Sequence, residues 1–325
     1  MLTFLLTFKG ENSNNKIVMI ICVQKEIIYM NFKNVTVAGS GVLGSQIAFQ
    51  TAFHGYHVSV YDINDAALEK AKERLTGLKD TYATYFNDAK KAAEALERFT
   101  FSSNLKEAVK DADLIIEAIP ELEKIKIKFY QDLATVAPEK TVFASNSSTM
   151  VPSQFAEYTG RPEKFLALHF ANEVWKNNTA EVMGHPGTDK KYEEEVIEFA
   201  KSIGMIPLHI LKEQPGYILN SLLVPFLSAG QALLAKGVAD PETIDKTWML
   251  ATGAPLGPFA ILDVVGLQTA YNIVATEAKH NPAVQPIADM LKTQFIDKGK
   301  MGKATGEGFY KYPNPAYLDP DFLKA

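Results

Sequence analysis

Residues 34–62, NVTVAGSGVLGSQIAFQTAFHGYHVSVYD, decide the fold. Val35 to Ala38 is a short, β-branched run suited to a strand buried on both faces. It leads into Gly39-Ser40-Gly41-Val42-Leu43-Gly44 and then into a helical segment closed by Gly55. A second strand, HVSVYD, ends on Asp62, eighteen residues after Gly44. Gly39 permits a tight turn, Gly41 lets the backbone approach a pyrophosphate, and Gly44 lets the helix pack closely on the strand. The helix start, through Val42 and Leu43, presents free N–H groups and the positive dipole end to phosphates. Asp62 can accept hydrogen bonds from both ribose hydroxyls and would repel a 2′-phosphate, so the expected cofactor is NAD rather than NADP. A lone GxGxxG matches many loops by chance. Here the preceding strand, the following helix and the acidic strand end supply the required context. The remaining alternative is an FAD or nucleotide-sugar site on the same fold.

Beyond Asp62 the chain keeps alternating. Residues 64–97 read as two amphipathic helices with solvated charged faces, and the Thr81–Phe86 patch is a candidate border of a substrate cleft. FTFSS, DLIIEAIPE and TVFASNSST read as strands, with LKEAVKDA and IKIKFYQDLATVA as the helices between them. This βαβ pattern predicts an open, mostly parallel sheet whose ligands lie beyond the carboxyl ends of its strands. Glu117, Glu121, Asn146, Ser147 and Ser148 all fall at such ends. SNSST reads equally well as a turn or a helix cap, and its place beside the expected cofactor favours function.

LHFANEVWKNNTAEVMGH, residues 168–185, places His169 near the end of one strand and Glu181 on the next, with a short hairpin-like link. Neighbouring strands would let Glu181 accept a hydrogen bond from one imidazole nitrogen. The other nitrogen is then fixed in the tautomer that takes a proton, as the oxidation of an alcohol by a nicotinamide enzyme requires. Spacing alone leaves this even with a histidine satisfied in a core. No metal is expected, because the six histidines and one cysteine show no ligand spacing.

After EEEVIEFAKSIG and MIPLHIL, strand alternation stops at Pro215-Gly216. The following region, starting GYILNSLLVPFLSAGQALLAKG, is helical and apolar on broad faces, so a homodimer is expected through it. The fold class is thus α/β: a Rossmann-type, mostly parallel sheet with a C-terminal all-α domain. The expected organisation is an N-terminal extension over 1–31, a NAD-binding domain over 32–213, a helical domain over 214–312 and a tail over 313–325. Net charge is −5, with 33 basic and 38 acidic residues intermixed, so nucleic acid is not an expected partner. A lone Cys22 allows no internal disulfide and suits a reducing cytoplasm. No apolar run approaches the ~20 residues of a membrane span, so no membrane is expected. The first thirty residues lack the basic start and small-residue cleavage site of a signal peptide. Met30 is the expected true start, since Lys25-Glu26 can be encoded by AAGGAG, a ribosome-binding sequence. An extra strand or an extension is the alternative.

From Phe32 to Tyr312 the chain resembles the L-3-hydroxyacyl-CoA dehydrogenase family, through VAGSGVLGSQIA, EAIPE, FASNSST, ALHFAN, AEVMGH, GYILNSLLVP, GAPLGPFAILDVVGL and GKATGEGFYKY in that order. NNTAEVMG and ADPETIDKTW are similar to its diketoreductase-like branch. The resemblance implies that His169 is the catalytic histidine and Glu181 its partner. It also implies that Ser148 and Asn220 hydrogen-bond the reacting oxygen, and that Asp62, Glu121, Lys126 and Asn172 contact the cofactor. The implied reaction is NAD-dependent interconversion of a 3-hydroxyacyl-CoA and a 3-ketoacyl-CoA. The alternative is a CoA-independent reductase of β-keto or 3,5-diketo esters, or of a sugar acid. The expected partner is therefore a small molecule, an acyl-CoA or a β-keto ester. A catalytically idle NAD-binding protein is a further alternative, and the intact His169, Glu181, Ser148 and Asn220 set argues against it. The chain departs from the family at Ala171 and Glu173, where HFFNP is usual, and this marks a changed substrate contact together with Trp175. The family's CoA-contacting serine and lysine fall on Leu78 and Tyr85, and a further lysine on Ala304, beside Lys303. An anionic CoA tail favours cations at such points.

Overall fold

The computed structural model describes residues 32–324, so the expectations for 1–31, including a start at Met30, lie outside the described residues. The chain divides between Pro215 and Gly216 into two compact units.

The first unit is a single eight-stranded sheet. In chain order its elements are β1 (Asn34–Ala38), α1 (Val42–Phe53), β2 (His57–Tyr61), α2 (Asp65–Tyr85), α3 (Ala89–Leu96), β3 (Phe99–Ser102), α4 (Leu105–Val109) and β4 (Leu114–Glu117). There follow α5 (Glu123–Val136), β5 (Val142–Ser145), β6 (Phe165–Phe170), β7 (Thr179–Met183), α6 (Lys190–Ser202) and β8 (Ile206–Ile210). The strand order is β3-β2-β1-β4-β5-β6-β7-β8, and every neighbouring pair is parallel except β6–β7. The winding reverses between β1 and β4, where Ala38 pairs with Glu117, which puts the glycine loop and EAIPE together at the switch point of the sheet.

Strand parity sorts the side chains. Leu114, Ile116, Val142, Ala144, Leu168, Phe170, Ala180 and Val182 pack on the face that α1 covers. The alternate positions include Ile115, Phe143 and Phe165, which pack with Tyr130 and Leu133 of α5. A period of two therefore aims Glu117, Ser145, His169 and Glu181 at the α5 face. Helix α1 is buried from Gly44 to Phe53, so its sequence is mainly apolar and its polar side chains find internal partners, as Gln50 and Thr51 do. Asn64 and Asp88 cap α2 and α3 by accepting the N–H groups of Ala67 and Lys91.

Two aromatic readings are corrected here. Tyr82, within the Thr81–Phe86 patch, is fully buried, donates to Gln50 Oε1 at 2.6 Å and packs on Phe49 and Phe53. Trp175 lies 5.8 Å from the Tyr82 ring, on the α1 face and thus opposite His169. Tyr82 serves the core, a large ring with its polar tip satisfied, and Trp175 packs partly buried against that core.

The second unit consists of α7 (Tyr217–Ala235), α8 (Pro241–Thr252), α9 (Pro258–Val265), α10 (Leu267–Ala278), α11 (Gln285–Gln294) and short 3-10 turns. Its core gathers Leu227, Met249, Phe259, Leu262, Leu267, Leu291 and Tyr310, and the stretch after 312 contributes Phe322 to it. Two buried carboxylates tie the pieces together. Asp245 accepts the Phe259 and Ala260 N–H groups at the start of α9, and Asp263 accepts those of Phe309 and Tyr310. Burial pushes both carboxyls above the usual aspartate range, although these hydrogen bonds oppose it. The expectation about apolar runs needs correcting: α7, with 19 residues and a mean hydropathy of 1.6, is long and apolar enough to cross a membrane. Asn220, Ser221, Ser228 and Gln231 interrupt the run and hide its length in the sequence. Only 17% of that run is buried within the described residues, although α7 packs with α9 and α11 in this unit.

Candidate functional site

The site begins where β1 stops. Gly39 turns with φ +96°, and a Cβ there would run into the Ala118 carbonyl, just past the end of the neighbouring β4. At Gly44 a Cβ would run into the Gly39 carbonyl, so these two glycines serve close packing within the loop. Gly41 differs. It is the residue before α1, with no side-chain cap and no acidic residue in the first turn, and a Cβ on it would meet nothing within 4 Å. The N–H groups at the start of α1 therefore face open space beside a residue without a side chain, which fits a pyrophosphate. Asp62 Oδ2 accepts from the Ser40 N–H at 2.8 Å and from the Ser40 hydroxyl, and its Oδ1 accepts from the Ile63 N–H at 2.8 Å. The carboxylate is thus turned onto the loop, where a ribose would lie. Gly41, Val42, Leu43 and Asp62 suit NAD.

On the α5 face, Glu121 accepts from the Ser147 hydroxyl, from the Ser148 and Thr149 N–H groups, each at 3.0 Å, and from the Thr149 hydroxyl at 2.8 Å. Burial opposes ionisation of Glu121, but these bonds and the charge of Lys126 hold its carboxyl below the usual glutamate range. Lys126 is itself buried, with its ammonium 3.2 Å from Glu121 and 2.6 Å from Glu117.

His169 lies opposite Glu181 in the antiparallel register of β6 and β7, so the two side chains share a face. Nδ1 is 2.9 Å from Glu181 Oε2, and Nε2 is 3.1 Å from Ser148 Oγ. Both His169 and Glu181 are buried, while Ser148 is half-buried. A carboxylate only accepts, so Nδ1 carries the proton and Nε2 turns its lone pair to the Ser148 hydroxyl. A histidine merely satisfied in a core has no need of that second arrangement at the end of a strand.

Two cofactor candidates from sequence stand in turns. Asn172 follows β6 in an exposed turn, where its carbonyl accepts from Asn177 Nδ2 at 2.8 Å. Next to it, Glu173 adopts φ +58° and donates its N–H to Gln46 Oε1 of α1 at 2.8 Å. Asn220 belongs to the second unit, in the first turn of α7, with its N–H on the Gly216 carbonyl at 3.0 Å. Sequence reasoning noted Glu117 only as a strand end. The available signal was a carboxylate at the end of a wholly apolar strand, with a lysine nine residues on.

Comparison with known proteins adds the following. The family model described as 3-hydroxyacyl-CoA dehydrogenase, NAD binding domain, matches residues 34–214, and its C-terminal domain counterpart matches 216–312. The mitochondrial hydroxyacyl-coenzyme A dehydrogenase of Rattus norvegicus is 38% identical over 291 residues, covering 86% of this chain and 91% of its own. A probable 3-hydroxybutyryl-CoA dehydrogenase of Bacillus subtilis is 31% identical over 296 residues, covering 87% and 98%. Among solved structures, a diketoreductase described as acting on dicarbonyl compounds is 56% identical with a TM-score of 0.83, covering 86% of this chain and 99% of its own.

Proposed function

We propose, from the premise that the chain belongs to the 3-hydroxyacyl-CoA dehydrogenase family, that it interconverts a 3-hydroxyacyl-CoA and its 3-keto counterpart, with His169 as general acid and base. The chain is an NAD-dependent oxidoreductase. One observation carries the assignment of roles: His169 stands between Glu181 and Ser148 on the sheet that bears the glycine loop. When bound, NAD accepts hydride from the carbinol carbon and, as NADH, returns it to the keto carbon. His169 Nε2 takes the hydroxyl proton in oxidation and gives it back in reduction. Glu181 holds the ring in the required tautomer and stabilises the imidazolium once the proton has arrived. Ser148 donates to the reacting oxygen, and Asn220 is assigned the same task by its family position. Glu121, Lys126 and Asn172 are assigned to the cofactor on the same ground. His169→Gln should abolish NADH oxidation with acetoacetyl-CoA while leaving NADH binding in place; unchanged turnover would overturn the assignment.

A second reading, reduction of a free dicarbonyl compound, has its own support. The 56% identical structure is a diketoreductase. Leu78 packs into the core and Tyr85 stands exposed, at positions where the family resemblance puts groups that bind CoA. Turnover of an acetoacetate ester that equals or exceeds that of acetoacetyl-CoA would establish this second reading. A homodimer through the helical unit belongs to the same proposal, supported by the exposed Leu222, Val264 and Ile273. Light scattering tests it. The lone cysteine favours a cytoplasmic setting.

A further inference from the structure

Glu117 ends β4 on the α5 face, 1% exposed, and has no role in the chemistry above. Its carboxylate is fully engaged. Oε1 accepts from Lys126 Nζ at 2.6 Å and the Ile119 N–H at 3.0 Å, and Oε2 accepts from the Tyr130 and Ser145 hydroxyls, each at 2.8 Å. A carboxylate this deep is costly to bury, and apolar side chains of the same volume would stabilise the sheet as well or better. What apolar side chains would not supply is direction.

Two of these four bonds lead to the turn that carries Ser148. Ser145 Oγ, held by Glu117, accepts the Ser147 N–H at 3.2 Å. Lys126, held by Glu117, reaches Glu121, which in turn takes the N–H groups of Ser148 and Thr149. The turn is therefore fastened at its root through Ser145 and at its tip through Glu121, and both fastenings run back to one buried carboxylate. Ser148 Oγ sits 3.1 Å from His169 Nε2, and hydroxyl placement at such a distance is sensitive to shifts below one ångström.

We propose that Glu117 is a positioning residue for Ser148, acting through Ser145 and through the Lys126–Glu121 pair. This rests on the reading of His169 and Ser148 given above. The test is a double-mutant cycle, because a residue that acts only through Ser148 has nothing left to act on once that hydroxyl is gone. Glu117→Gln keeps the shape and removes the charge. Ser145→Ala cuts the root fastening alone and carries the test if the first variant does not fold. Each is made in the parent protein and in a Ser148→Ala background. Turnover is measured beside NADH affinity by fluorescence titration and the thermal unfolding midpoint.

The expected result is a roughly tenfold or greater loss of kcat in the parent and less than about twofold in the Ser148→Ala background, with NADH affinity within about threefold for Ser145→Ala, which leaves the Lys126–Glu121 pair intact. Losses that multiply in the two backgrounds would overturn the inference and leave a structural role. Loss of NADH affinity by the same factor as kcat in Ser145→Ala would also overturn it, in favour of a role at the cofactor. If Ser148→Ala alone leaves kcat unchanged, the reading of the site fails first, and the inference with it.

Discussion

Replacing Glu181 by glutamine tests the heart of the site, because the substitution keeps shape and hydrogen-bonding reach and removes only charge. At 2.9 Å and an effective dielectric of about 20, the gross attraction between imidazolium and carboxylate is about 6 kcal/mol. Most of that is offset, since the carboxylate gives up water to be buried. The glutamine oxygen still accepts from Nδ1–H, so a neutral hydrogen bond worth about 1 kcal/mol remains. A hydrogen bond to a charged group is worth about 1.5–3 kcal/mol, so in this buried pair the excess from charge is about 1–2 kcal/mol, and it acts only once His169 is protonated. At a factor of ten for each ~1.4 kcal/mol, kcat should fall roughly 5- to 30-fold in the direction where His169 takes up the proton. The assay follows NADH formation from a 3-hydroxyacyl substrate at saturating NAD, with NADH affinity measured separately and expected to hold. A kcat within about threefold of the parent would refute the claim that Glu181 stabilises a charged histidine.

Glycines 41 and 44 should separate stability from binding. Gly44→Ala drives a methyl into the Gly39 carbonyl and should cost about 1–3 kcal/mol, read as a lower melting midpoint. Gly41→Ala meets open space, so its midpoint should stay put while NADH affinity falls about tenfold or more; intact affinity would displace the pyrophosphate from this loop. Asp62→Ala should narrow the preference for NADH over NADPH, read as a ratio of kcat/KM values. Asp113 supplies a pH test. Burial raises its carboxyl, but Lys140 and the Lys33 and Asn34 N–H groups bring it below the usual aspartate range. A depressed folded-state value contributes stability above the unfolded-state value and loses it as pH falls through the folded one. Urea unfolding should therefore show the parent ahead of Asp113→Asn near neutrality and level with it in strong acid; a gap that widens in acid contradicts the assignment.

Local patterns carried most of the fold. The glycine loop, its flanking strand and helix, and the acid at the end of β2 are all within 29 contiguous residues, so one window reveals them. His169 and Glu181 were legible for a similar reason, as a hairpin-like link joins the strands that bear them. The Glu117 hub was not, because its side-chain partners come from β5 and α5, nine to 28 residues further along the chain. In EKIKIKFYQ three lysines alternate with apolar residues, and only the packed structure shows that Lys126 points inward. Tyr82 and Trp175 misled in the opposite sense, since aromatic clusters look alike in a cleft and in a core until partners are known. Helix α7 was underread because its polar residues break the apolar count without breaking the helix.

The register of β7 bears on how such a protein could be redesigned. Glu181 is paired on one side with His169 and on the other with Leu208, so the acid–base pair is clasped between two ladders in the interior of the sheet. Amides there exchange with solvent only when the sheet itself opens, on far longer timescales than loop motion. The turn over residues 171–178 and the turn over 146–149 have no such clasp on both sides. Directed evolution toward a new substrate therefore has a natural division of territory: libraries in the 171–178 turn explore recognition, while the strands beneath and Ser148 in the 146–149 turn are held fixed to keep the proton-handling geometry constant.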